Sequence, residues 1–306
     1  MGRRRFLVTG AAGFIGSHLA ETLLAAGDEV VGFDCFTDYY DRALKEDNAR
    51  SLDVRRLDLA EDKLDVSGFD GVFHLAAQPG VRSFGPVFAK YLRGNVLASQ
   101  RLFEVAARDG VRVVSASSSS IYGASETYPT PETTTPAPLS PYGISKLAVE
   151  HLAAAYERSF GLDVVTLRYF TVFGPRQRPD MAFTRIAFAL AQGRTFDLYG
   201  DGTQTRSFTY VSDVVEATVA AMDRGSGTYN VGGAVEASMR DVIAVMERLA
   251  GKQLDIHEHP ATPGDQHRTS ADTSRIRRDV GWEPRVSLEE GLQAHWEWAA
   301  ARSRQK

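Results

Sequence analysis

The chain has 306 residues, 43% of them hydrophobic, enough for one large domain or two ordinary ones with a sizeable core. Its net charge of −4, with no charged block beyond Arg3-Arg4-Arg5, argues against nucleic acid as the main partner. A single cysteine, Cys35, excludes an internal disulfide and fits a reducing compartment; neither cysteines nor the linear spacing of the seven histidines offers a metal-ligand set.

The basic start followed by Phe6-Leu7-Val8 imitates a signal peptide, but Thr9, Gly10 and Gly13 interrupt the apolar run. It reads instead as a strand, Phe6–Thr9, entering a glycine turn. A helix follows from Gly16 to Ala26, with Leu19, Leu23 and Leu24 at helical spacing, and then a strand, Glu29–Phe33, ending at Asp34. The alternation continues with strands Val54–Leu57 and Gly71–Leu75, a helix Asn95–Asp109, strand Val111–Ala116, helix Tyr142–Phe160 and strand Asp163–Arg168. Apolar strands with helices between them imply a parallel sheet covered on both faces. After Arg168 the rhythm breaks. Helices are expected over Phe183–Gln192, Ser212–Asp223, Met239–Ala250 and Leu288–Ala301, with a strand at Thr228–Val231. The fold class is therefore α/β, a Rossmann-type doubly wound sheet with a smaller, mostly C-terminal α/β substrate domain. The expected division is 1–171 and 172–306, with parts of about 207–232 returning to the sheet. No stretch approaches the ~20 apolar residues of a membrane span, so a protein of the cytoplasm, with no membrane partner, is expected.

Gly10-Ala11-Ala12-Gly13-Phe14-Ile15-Gly16 joins a strand to a helix, the context of a dinucleotide cradle. Glycines let the backbone approach a pyrophosphate, and the helix N-terminus offers free N–H groups and a positive dipole end. The same turn without a ligand is the alternative. Asp34, 18 residues after Gly16, could accept the adenosine-ribose hydroxyls and would repel a 2′-phosphate, which favours NAD over NADP. Asp58 is placed to reach the adenine edge. Far downstream, Tyr142-Gly143-Ile144-Ser145-Lys146 sets a phenol and an ammonium on one helix face. A phenol has a pKa of about 10, and a nearby positive charge favours its phenolate. Tyr-x-x-x-Lys alone is a weak signal. Ser117-Ser118-Ser119-Ser120, directly after a strand, strengthens it, because carboxyl ends of strands face the ligand crevice in such sheets. Together these residues suggest a hydroxyl losing its proton while a nicotinamide takes the hydride.

These features resemble the extended short-chain dehydrogenase/reductase family, and within it the NAD-dependent nucleotide-sugar epimerases. The resemblance rests on Gly10/Gly13/Gly16, His74-Leu75-Ala76-Ala77, Ser117–Gly123, Tyr142-x-x-x-Lys146 and Arg168-Tyr169-Phe170. Asp38-Tyr39-Tyr40-Asp41 and the long run Thr171–Ala182 are similar to hallmark stretches of UDP-glucuronate 4-epimerases. By that resemblance Tyr142 is the base, Lys146 lowers its pKa and binds the nicotinamide ribose, and Ser118 is the second proton-handling hydroxyl. The cofactor contacts would be Gly10, Gly13, Phe14, Ile15, Gly16, Asp34, Asp58, Leu59, Leu75, Ala76, Ala77, Tyr142, Lys146 and Tyr169.

The reaction so implied is reversible C4 epimerisation of UDP-glucuronate to UDP-galacturonate through a 4-keto sugar and transient NADH. Related dehydratases and decarboxylases carry carboxylic acids near the catalytic hydroxyl, where this chain has Ser119 and Ser120. A 4-keto uronate is a β-keto acid, and charge-assisted bonds to its carboxylate would resist loss of carbon dioxide. Arg178 is the candidate partner, with Thr171, Ser119 and Ser120 donating hydroxyl bonds; Arg82 is a second candidate. Arg206 matches the family's pyrophosphate arginine, and Asp265 could accept uridine-ribose hydroxyls. A homodimer through the helices Asn95–Asp109 and Tyr142–Phe160 is also implied. A UDP-glucose/UDP-galactose epimerase, a UDP-glucuronate decarboxylase and a silent NAD-binding sensor remain open alternatives.

Overall fold

The computed structural model describes residues 2–80, 85–233, 235–261 and 267–304. Arg82 and Asp265 lie outside the described residues.

The chain opens with β1 (Arg5–Thr9), α1 (Phe14–Ala25), β2 (Glu29–Asp34), α2 (Arg42–Ala49), β3 (Val54–Arg56) and β4 (Gly71–His74). Next come α3 (Phe88–Tyr91), a π-helical segment Leu92–Leu97 and α4 (Ala98–Asp109). Then follow β5 (Val113–Ser118), α5 (Pro141–Phe160) and β6 (Val164–Tyr169). Beyond these lie β7 (Thr171–Phe173), α6 (Ala182–Gln192), β8 (Phe196–Tyr199), β9 (Thr205–Tyr210), α7 (Val211–Arg224) and β10 (Gly227–Val231). The last elements are β11 (Glu236–Ser238), α8 (Met239–Ala250), β12 (Ile256–His259), β13 (Arg268–Thr269), α9 (Ser274–Val280) and α10 (Leu288–Ser303).

Seven strands form one parallel sheet in the order β10-β6-β5-β4-β1-β2-β3. The order reverses at β1, where the crevice beyond the strand ends opens. Side chains alternate between faces, as the two-residue period of a strand demands. Phe6 and Val8 join the core shared with α1 and α7, whereas Leu7 joins the core shared with α4 and α5. A third core, around Phe173, Phe183, Phe208, Met246 and Leu292, fills the C-terminal lobe. There β9 pairs with β7, β11 and β13, and β8 pairs with β12.

The expected helices and strands of the first half are present, with boundaries shifted by a few residues. The largest shift is at the helix expected to begin at Asn95: it starts at Phe88 and passes through the π-helical segment. The segment Thr171–Arg178, beyond the break in rhythm, begins with β7, and β10 joins the main sheet beside β6. Helix α2, the paired strands β8 and β12, β9, β11, β13 and helix α9 were not anticipated. No helix among the described residues is long and apolar enough to cross a membrane.

Candidate active site

The glycine turn is closed by the backbone itself. Gly10 has φ +72°, and a Cβ there would lie 2.9 Å from the amide nitrogen of Ala76. A Cβ on Gly16 would sit 2.2 Å from the Gly10 carbonyl, so α1 packs onto β1 only with glycine at that position. Gly13 is the N-cap residue and supplies no side-chain cap, so the first N–H groups of α1 stay directed to the crevice. Asp34 accepts from the N–H of Phe36 (2.8 Å) and of Ala12 (3.2 Å) at the rim. Burial pushes its carboxyl up, against those two N–H groups and the Lys45 ammonium.

Beyond the turn lies a cavity of about 590 Å³. All fourteen residues expected to hold the cofactor line it, from Gly10 and Asp34 to Lys146 and Tyr169. An uncapped helix N-terminus at one end and an acid at the rim fit a dinucleotide with free ribose hydroxyls. Asp58, expected near the adenine edge, also bonds the Arg93 guanidinium at 2.7 Å.

The histidine of the His74-Leu75-Ala76-Ala77 run is structural. His74 Nδ1 lies 2.8 Å from Thr9 Oγ1 and Nε2 2.9 Å from Ser99 Oγ, while the Ala76 N–H donates to the same threonine at 3.2 Å. Burial first, then the Lys146 charge, lowers its pKa to about 3; burial lowers that of His295 to about 4. Both stay neutral in the folded chain where an unfolded histidine, near 6.5, is protonated. The unfolded state then binds more protons, so stability rises with pH across this range. Acidification from pH 6.5 toward 4 is expected to cut the unfolding free energy by about 1.4 kcal/mol per pH unit for each histidine. Urea unfolding at stepped pH should show it, with a His74→Gln variant losing about half of the slope.

Opposite the glycine turn, Ser140 caps α5 by accepting the Gly143 N–H at 3.1 Å, and Pro141 stands in the first turn. This start fixes Tyr142 and Lys146 at the mouth of β5. Tyr142 is half-buried and lines the cavity beside Lys146. Burial pushes its pKa up; the Arg178 charge and then the Ser118 hydroxyl pull it down. Sequence reasoning gave the tuning to Lys146. In the structure the Lys146 ammonium donates to the Ala116 carbonyl at 2.8 Å and stands 6.0 Å from the phenol ring centroid; Arg178 is a second cation that pulls the phenol's pKa down. Burial lowers Lys146 itself to about 8, with Glu150 opposing.

Arg178 lines the cavity but already has an acid partner. Its Nε and Nη2 donate to the two oxygens of Asp180, each at 3.0 Å, and its guanidinium lies 5.8 Å from the Tyr39 ring centroid. The Tyr39 hydroxyl donates to the same carboxylate at 3.2 Å. The two hallmark stretches therefore meet in space. Gln177 sets the loop, bonding the Val172 carbonyl (2.9 Å) and the Thr184 N–H (3.3 Å). Arg176, at φ +66°, pins the loop to α1 through Ser17 and Glu21.

Other expected substrate contacts are not at this wall. Ser119 and Ser120 form a short 3₁₀ turn, with Ser120 Oγ 3.1 Å from Ser118 Oγ, and Ser119 edges a separate shallow groove. Thr171 begins β7, and Arg206 lies in β9, donating to the Thr205 carbonyl at 2.8 Å. Sequence reasoning missed three positioning residues. Asn95, buried in the π-helical segment, exchanges bonds with the Gln78 backbone (2.6 and 3.2 Å) and donates to Ser145 (2.8 Å), whose hydroxyl donates to the Tyr142 carbonyl (2.7 Å). The strand-end loop and the Tyr142 helix are thereby tied together. Glu150 pairs with Arg168 at 2.7 Å and accepts from Ser117 at 2.5 Å. Asn230 Oδ1 accepts from Tyr122 at 2.7 Å.

An uncapped glycine turn, an acid on the second strand and a tyrosine with a lysine one helical turn along, above a parallel sheet, define a dinucleotide-dependent enzyme that acts on a hydroxyl. Residues 6–232 match the NAD dependent epimerase/dehydratase family, and the chain belongs to it. A Bacillus subtilis (strain 168) protein named as an uncharacterized UDP-glucose epimerase, YtcB, is 40% identical over 302 residues, 94% of this chain and 95% of that one. The UDP-glucuronate 4-epimerase of Thermodesulfobacterium geofontis (strain OPF15) is 34% identical over 308 residues, 96% of this chain and 95% of its own. Among solved structures, the UDP-glucuronic acid 4-epimerase from Bacillus cereus, in complex with UDP-glucuronic acid and NAD, is similar with a TM-score of 0.92. It is 39% identical, and the alignment covers 97% of this chain and 99% of that one.

Proposed function

We propose that this protein is an NAD-dependent UDP-glucuronate 4-epimerase, interconverting UDP-glucuronate and UDP-galacturonate. One observation carries the reading: a guanidinium, Arg178, and the phenol of Tyr142 line the same cofactor cavity. That pairs a cation for a sugar carboxylate with a base for the neighbouring hydroxyl. Bound NAD would supply the hydride acceptor, and then the donor, at C4 of the sugar. Ser118 holds the C4 hydroxyl and passes its proton to Tyr142, and the same pair returns the proton after the ketone turns over. Lys146 orients the nicotinamide ribose. Arg178 keeps the carboxylate charge on oxygen, which disfavours loss of carbon dioxide from the 4-keto sugar. Ser119 and Ser120, in place of carboxylic acids, leave dehydration without its acid and base.

Turnover of a neutral UDP-sugar is the second reading, favoured by the Asp180 carboxylate that already neutralises Arg178. NMR of purified protein with UDP-glucuronate separates the readings. The expected outcome is both uronates and no UDP-pentose; conversion of UDP-glucose alone would overturn the proposal. We also propose a cytoplasmic homodimer, with an NAD-binding part over 1–171 and a sugar-nucleotide part over 172–306. Exposed Leu92, Leu97 and Ile144, on the π-helical segment and α5, support the dimer by offering apolar surface for a second copy.

A further inference from the structure

Strands β8 and β12 lie side by side in parallel, with His257 opposite Asp197 and His259 opposite Tyr199. Residues two apart on a strand share a face, so His257 and His259 point the same way. Sequence spacing hid this group, because Asp197 lies 60 residues before His257. His259 Nε2 is 2.8 Å from Asp197 Oδ1, and His257 Nδ1 is 3.7 Å from the same oxygen. One ligand atom from each of the three residues falls within 4.8 Å of the others. Ligand atoms around tetrahedral Zn²⁺, at about 2.0–2.1 Å from the metal, stand roughly 3.3 Å apart.

We propose that Asp197, His257 and His259 form a site for a divalent transition-metal ion of the Zn²⁺ type. Two imidazoles and one carboxylate suit Zn²⁺, Ni²⁺ or Cu²⁺, and discriminate against Mg²⁺ and Ca²⁺, which take all-oxygen shells. The ligands are partly held in place. Tyr199 stacks on the His259 ring, with centroids 4.9 Å apart and planes 19° apart. Arg185 stands 3.6 Å from Asp197 Oδ2, leaving Oδ1 to face the histidines. His257 is two-thirds exposed, which leaves room for a water as fourth ligand. The site lies outside the cofactor cavity and depends on neither the epimerase reading nor bound NAD. It clamps β8 to β12 just before the Gly200-Asp201-Gly202 turn, whose first N–H donates to the His259 carbonyl at 2.9 Å.

The test uses untagged, chelator-stripped full-length protein titrated with ZnCl₂ by calorimetry, and with Co²⁺ by visible absorption. One equivalent should bind at about micromolar affinity with a rise in Tm, and Mg²⁺ should not compete. The His257→Ala/His259→Ala double variant should lose both the heat and the Tm rise. His257→Gln alone, at an exposed position that does not threaten folding, should weaken binding at least tenfold. Absence of saturable Zn²⁺ binding overturns the proposal. So does binding that survives the substitutions unchanged.

Discussion

Replacing Tyr142 with phenylalanine is expected to lower kcat by roughly 10³-fold, within the usual contribution of a positioned acid–base group. The ring stays and its packing is kept; only the hydroxyl is removed. NAD content, read by extraction and absorbance, should be unchanged, because the phenol is one contact among many around a large cavity. The geometry also gives an order of effects. Burial holds the phenol in its neutral form, and every pH unit of that shift costs about 1.4 kcal/mol of phenolate. Losing a group that opposes burial should therefore slow turnover less than losing the phenol itself. Ser118→Ala is such a change, and a loss of about 10- to 10²-fold is expected of it. NMR time courses on the proposed uronate substrate measure both. A Tyr142→Phe variant retaining activity within tenfold of the parent would remove the phenol from the chemistry.

Much of the cofactor half is legible in the sequence because its signals are local. Gly10, Gly13 and Gly16 are adjacent in the chain and in space, and the backbone approach that requires Gly16 lies within the turn itself. Helix α8 matches its expected range because both ends carry local stops: a Ser238/Asp241 capping box and Gly251 in the left-handed region. What sequence misses is pairing across distance. Strands β8 and β12 are about 60 residues apart, and neither has a periodic pattern that sets it off from a loop. The π-helical turn at Leu92–Leu97 has no sequence signature, yet it brings Asn95 to both Gln78 and Ser145. Helical spacing sets Lys146 beside Tyr142, and its ammonium stands 6.0 Å from the phenol ring centroid. A second charge that lowers the phenol's pKa comes from Arg178, on a loop whose path depends on Gln177 and Arg176. The Thr171–Ala182 run and the Asp38–Asp41 run each carried a signal. Their meeting through Tyr39, Asp180 and Arg178 is a tertiary fact.

Arg178→Ala is the second large effect, and its companion, Asp180→Asn, should act in the opposite direction. A guanidinium bonded to a carboxylate contributes about 1.5–3 kcal/mol per charged hydrogen bond, or roughly 10- to 10²-fold. In the structure Asp180 occupies the fork that a uronate carboxylate would need, with both oxygens at 3.0 Å. The proposed substrate must share Arg178 with Asp180 or displace it. Arg178→Ala should then raise KM for UDP-glucuronate by at least tenfold, and let more of the keto sugar escape as carbon dioxide and UDP-pentose. Asp180→Asn keeps the shape, removes the competing charge, and should lower that KM several-fold. Arg178 has a second effect that does not depend on the sugar. Its charge pulls the Tyr142 pKa down, so Arg178→Ala should move the pH–rate profile toward higher pH with any substrate turned over. Asp180→Asn leaves Arg178 uncompensated and should move it toward lower pH. Steady-state kinetics against pH separates the two effects: the change in KM belongs to the carboxylate, the displaced profile to the phenol. A uronate KM unchanged in both variants would show that Arg178 does not hold the acid group, even if the profile moves.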